Sequence, residues 1–146
     1  MTVSLIYLII QTRQNVRHTR GLIIQGASAS TTAIVLANQT RDAMTTWIGG
    51  NGGDPTEARI REGQFDLMCQ GSVTAMEDLF AQRALGLVPD EVFARNCLLH
   101  QALLSQPGMR AYWMAQRKEL GEAAPKFVAF VDGLCVGDAT EFALKL

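Results

Sequence analysis

Asp54–Leu87 reads "DPTEARIREGQFDLMCQGSVTAMEDLFAQRALGL", and its reading decides the fold. Asp54, Pro55, Thr56 and Glu57 stand in the order of an N-cap and the first three positions of a helix. A capping carboxylate accepts from the free backbone N–H groups, and proline presets φ where no helical donor is needed. An acidic side chain then faces the positive end of the helix dipole. Ala58, Phe65, Met68, Ser72, Met76 and Leu79 follow at near-helical intervals. Gly86 is placed to end the helix in a left-handed conformation, with Leu87 as the hydrophobic contact of that cap. Gly63 and Gly71 each cost about 1 kcal/mol relative to alanine inside a helix. Close approach of another helix would account for them.

The same punctuation recurs outward from this segment. Pro89, Pro107 and Pro125 each precede a helix-like pattern, as Pro55 does. After Pro89, Asp90 and Glu91 occupy a first turn, and Val92, Phe93, Asn96, Leu99 and Leu103 form an inner face. Ser105 is a cap before Pro107, which opens a helix carrying Met109, Trp113 and Leu120. A shorter helix runs from Pro125 through Phe127, Val128, Phe130, Val131 and Leu134.

The stretch before Asp54 contains no proline, and residues 21–40 carry no charge. Its Ser, Thr and Val content would allow strands. Yet Ile23, Ala27, Ser30, Ile34, Ala37 and Arg41 keep a helical rhythm, and the small residues 26–30 permit close approach of a partner helix. One helix from Val3 to Trp47 is expected, followed by the flexible linker "GGNGG" at Gly49–Gly53. No segment after it alternates with period two. The fold expected is all-α, a bundle of about five helices with a long N-terminal helix. It divides into a membrane-proximal segment (1–20), a helical bundle (21–136) and a C-terminal tail (137–146). In the tail, Phe142, Leu144 and Leu146 could dock on the bundle.

At 146 residues and 48% hydrophobic content, the chain suits one domain with one core. A net charge of −1 gives no case for nucleic acid as a partner. The charge is unevenly spread: residues 1–53 carry Arg13, Arg17, Arg20 and Arg41 against Asp42 alone, so the remainder is acidic. A basic entry beside an acidic body suits a chain that starts at an anionic surface. Cys69, Cys97 and Cys135 form no CxxC pair, and a reduced intracellular protein is the simplest reading.

Candidate chemistry is sparse. There is no G-x-S-x-G for a serine nucleophile, and no GK[ST] follows the glycine run. His18 and His100 follow Asn15 and Cys97 at three residues, so the Glu-x-x-His of a di-iron bundle is lacking. Cys97 and His100 share a helical face, but zinc would need two further ligands. No cofactor is implied. Glu77, Gln82, Arg110 and Trp113 form the ligand-binding candidate. A Glu77–Arg110 pair across two helices would serve either a small-ligand pocket or the helix register.

The opening run Val3–Ile10, with Leu5, Ile6, Tyr7, Ile9 and Ile10, is far shorter than the roughly 20 residues of a spanning helix. Three readings stay open. It ends a transmembrane helix that starts upstream of Met1, or inserts shallowly with Arg13, Arg17, His18 and Arg20 at the headgroups, or packs on protein.

Three stretches also carry a resemblance. "SLIYLIIQTRQNVRHTR" (Ser4–Arg20) resembles the membrane-exit segment of a bacterial family with no assigned activity. In that family a transmembrane helix leads through Q-x-R-x-N, here Gln11, Arg13 and Asn15, into a cytoplasmic helical domain. "AMEDLFAQRALGLVPDEVF" (Ala75–Phe93) is similar through Glu77, Gln82 and Gly86, with Asp78 where the family commonly has Asn. Gln106–Leu134 adds Pro107, Gly108, Trp113, Phe127 and Val131. This chain departs from the family in the shortness of its apolar front. The resemblance implies placement at the cytoplasmic face of a bacterial inner membrane, or in the cytoplasm without an anchor. The function expected is a non-enzymatic, membrane-associated module that acts through protein contacts and self-associates through its first helix. The alternative is a small-ligand-binding or metal-binding bundle, possibly an enzyme.

Overall fold

The computed structural model describes residues 2–136, with side chains from Leu5 onward. The expected docking of Phe142, Leu144 and Leu146 lies outside the described residues. The fold is all-α: α1 (Thr2–Ala37), α2 (Arg41–Gly50), α3 (Glu57–Ala84), α4 (Asp90–Leu104), α5 (Pro107–Ala123) and α6 (Pro125–Val136).

The core sits among the last four helices. Cys69, Val73 and Met76 of α3 meet Phe93, Cys97 and Leu104 of α4, Met109 and Trp113 of α5, and Phe127, Val128, Phe130, Val131 and Leu134 of α6. The aromatic rings form its centre. Phe80 stacks on Phe130 at 5.1 Å, Phe93 lies 5.7 Å from Phe130, and Trp113 meets Phe127 edge-on at 6.1 Å. Such offset and edge-on pairs add to the burial of the rings themselves.

The first helix differs from expectation. It does not run to Trp47 but stops at Ala37, and α2 leaves at an angle of 95°. Asn38 Nδ2 donates to the Ile34 carbonyl at 2.8 Å, satisfying the end of α1. Thr40 then caps α2, its hydroxyl accepting from the Ala43 N–H at 3.2 Å. The bend folds α2 onto α3. The buried Met44 comes so close to Gly63 that an added Cβ would lie 2.7 Å from its sulfur, which accounts for a glycine there. Gly71 has only ordinary contact with Val35, at 3.5 Å.

Other caps also move. The N-cap of α3 is Thr56, whose hydroxyl accepts from the Arg59 N–H at 3.4 Å; Asp54 instead offers its carbonyl to the Thr56 N–H. Ser105 closes α4 rather than capping α5, and Gln106 precedes Pro107 without a side-chain cap bond. The inner face of α4 is Phe93, Cys97 and Leu104, whereas Leu99 and Leu103 are exposed. In α3, likewise, Phe65 and Met68 are exposed, and Ile60, Cys69, Val73 and Met76 are buried. That helix packs against α1 and α2 as well as against α4 and α5. Its buried stripe is therefore wider than one periodic row, and the single row read from sequence is displaced.

The α3 terminus matches its expected form. Gly86 has φ +70°, its N–H donates to the Arg83 carbonyl, and the Leu87 N–H donates to the Gln82 carbonyl. Those are the two bonds of a Schellman cap. Leu87 then reaches across to α1, where its Cδ1 occupies the space that a Cβ on Gly21 would need. Among the side chains described from Leu5 onward, Gly21 is the first buried position of α1, and their contact with the bundle begins there.

Candidate functional site

From residue 5 to residue 20, every residue of α1 is exposed. Leu5 is 64% exposed, and Ile6, Tyr7, Leu8, Ile9 and Ile10 range between 48% and 62%. Six consecutive residues cover the whole circumference of a helix at 100° per residue, so the tip is apolar on all sides. Arg13, Arg17 and Arg20 follow at intervals of four and three, which places them in one row. From Gly21 on, the row continues through Ile24, Ser28, Thr31 and Val35, the half-buried or buried side against the bundle. The rhythm read from sequence, Ile23, Ala27, Ser30, Ile34 and Ala37, instead marks exposed residues. No single helix is long and apolar enough to cross a membrane; α1 and α2 pass that test only as a bent pair.

The four ligand-binding candidates do not converge. Glu77 is exposed at the rim of a groove. Gln82 is one turn away, its Nε2 donating to Asp78 Oδ2 at 2.9 Å. Arg110 is exposed and forms no ion pair with Glu77, contrary to the expected pairing. Trp113 is fully buried in the core. Its Nε1 donates to Asp132 Oδ1 at 2.9 Å, and Asp132 Oδ2 accepts from Arg117 at 2.5 Å. Trp113, Asp132 and Arg117 therefore form a polar link that ties α5 to α6. Sequence reasoning missed it, although Asp132 is the only carboxylate in the apolar run Phe127–Val136.

The groove lies between α1, α3 and α5 and encloses about 560 Å³. Ser28 and Thr31 line one side, Glu77 and Asp78 a second, and Tyr112 and Gln116 a third. Among the described residues, no basic residue lines it. Asp78 Oδ1 is buried and has no hydrogen-bond partner among the described residues. Burial raises the Tyr112 phenol above its usual pKa, and the Asp66 carboxylate adds to the effect. Glu77 and Asp78 thus give the groove an acidic wall.

Cys97 and His100 make no metal centre here: among the described residues, no three His, Cys, Asp or Glu side chains come together. Burial pushes the Cys97 thiol up to about 11 and holds the His100 imidazole below its ordinary value. Cys69 is raised by burial and by Asp66, and Cys135 by burial, which the nearby Arg110 partly opposes. All three thiols are therefore disfavoured as thiolates, the form that nucleophilic or metal chemistry requires.

Comparison with family models, curated proteins and solved structures finds no match to this chain.

Proposed function

We propose that this protein is a non-enzymatic helical module that docks on an anionic membrane surface through the front of α1 and acts through protein contacts. One observation carries this reading: the exposed tip is apolar on every side and is followed at once by a basic row. A groove in a partner protein buries one stripe of a helix, whereas lipid accepts all of its faces. Residues 5–12 extend about 12 Å at 1.5 Å per residue, a depth that fits within one leaflet. Arg13, Arg17 and Arg20 then stand at headgroup level, where each basic residue contributes about 1 kcal/mol on an anionic surface. The resemblance of Ser4–Arg20 to a membrane-exit segment supports the same placement. The acidic body behind this arm disfavours close approach of the bundle to the same surface and leaves it free for other proteins.

Vesicle flotation of the full chain tests the reading. We expect recovery with vesicles containing phosphatidylglycerol, loss of most binding at high salt, and loss in an Ile6→Glu/Ile10→Glu variant. Both positions are exposed, so the bundle should fold in that variant. A full chain that stays at the bottom of the gradient with anionic vesicles at low salt would sink the membrane half of the proposal.

A further inference from the structure

A second seam runs along α1 on the side away from the bundle. Starting at Leu5 and stepping alternately by four and three residues, it passes Ile9, Thr12, Val16, Thr19, Ile23, Gly26, Ser30 and Ala33 and ends at Ala37. No position on it is charged, and every one is exposed. Uncharged residues at such spacing, with Leu5, Ile9, Val16 and Ile23 among them, suit a helix–helix interface of the coiled-coil kind. The rear half of α1 already packs against α3 through the opposite side. Among the described residues, the seam therefore has no occupant within the chain.

We infer that the occupant is a second copy of this chain, paired antiparallel about a two-fold axis near Gly21. Size complementarity selects the direction. In that register Leu5 meets Ala37 of the other copy, Ile9 meets Ala33 and Val16 meets Gly26. Each large residue of the front half faces a small residue of the rear half, so the two helices keep one separation along their length. Parallel pairing sets large against large at the front and small against small behind, and the axes would have to diverge.

Charge selects the same direction. Arg13 and Arg17 leave the helix on the side that carries Ile24, Ser28 and Thr31 farther along, the α1 wall of the acidic groove. The two-fold axis preserves that side. It brings the arginines of each arm level with residues 25–29 of the other copy, beside the groove that holds Glu77 and Asp78 and, among the described residues, no cation. Parallel pairing gathers both basic arms at one end, far from either groove. Ile6, Tyr7 and Ile10 lie off the seam and stay uncovered in the pair. The pair uses the same arm that the proposed function places at a membrane, so a second copy and a lipid surface compete for it, and the pairing does not rest on that reading. It is measured without lipid, so either can fail without the other.

Disulfide trapping provides the test. Chains carrying Val16→Cys are mixed with differently tagged chains carrying Gly26→Cys and oxidised mildly, with the unsubstituted protein as the control for Cys135. We expect a covalent dimer joined through positions 16 and 26, and no 16–16 or 26–26 dimer above the control. A 16–16 product formed as readily would overturn the antiparallel register, and no product above the control would overturn the pairing. Gly26→Leu gives an independent readout by sedimentation. A Cβ there meets nothing within 4 Å in its own chain, so folding is spared. Crowding one seam layer should weaken dimerisation about tenfold or more. Arg13→Glu/Arg17→Glu should weaken it as well. Unchanged dissociation in Gly26→Leu counts against the seam, and unchanged dissociation in the charge variant counts against the groove contact.

Discussion

At the scale of single residues, the molecule's polar chemistry is turned inward. The Trp113 indole N–H has one partner, Asp132. Asp132→Ala would leave that donor unsatisfied in the core and should cost about 1–3 kcal/mol in chemical denaturation. His100 sets a pH dependence. Its folded pKa lies below the ordinary 6.5 because burial penalises the cation, and its Nδ1 is buried without a hydrogen-bond partner among the described residues. The unfolded chain therefore binds the proton more readily. The stability in question is complete above pH 6.5 and is lost as pH falls from there through the folded value. The melting temperature should drop over that range, and His100→Gln should flatten the part of the drop that this imidazole causes. The inner residues of the last helix were legible from sequence because Pro125 fixes its start and five apolar residues crowd its length. Asp132 was not, since its partners Trp113 and Arg117 lie on a different helix and no local spacing connects them.

At the scale of elements, caps decide boundaries. Thr56 accepts the capping bond at α3, so Thr56→Ala should lower stability by about 0.5–2 kcal/mol, with a smaller effect for Asp54→Ala. Thermal or urea unfolding of the two variants checks this. The sequence shows both residues ahead of the helix. Which one caps it depends on the extended backbone at Thr56, φ −64° and ψ 155°, and that is set by how the chain arrives from α2. The break at Asn38–Thr40 was hidden for a related reason. No glycine or proline marks it, and the signal is a threonine cap followed by Asp42 in the first turn. At Gly86 the opposite holds, because a positive φ demands glycine whatever surrounds it. The candidate site was half visible. The apolar tip and the arginine row could be read directly, but their exposure follows from where Gly21 meets Leu87, a contact between distant parts of the chain.

At the scale of the whole molecule, α1 is about 54 Å long at 1.5 Å per residue, and the bundle covers only its rear half. Removing residues 1–20 takes away no buried side chain described in the structure. The shortened chain should keep its helical circular dichroism and, with half the seam gone, should scatter light as a monomer. The central claim is that the front of α1 stands clear of the bundle in order to enter a membrane surface. An environment-sensitive fluorophore on a cysteine introduced at Ile10 tests this most directly. On titration with phosphatidylglycerol vesicles, its emission should shift to the blue and brighten, while the same label at the exposed Leu98 of α4 stays unchanged. Emission from position 10 that does not respond to anionic vesicles at low salt would contradict the account.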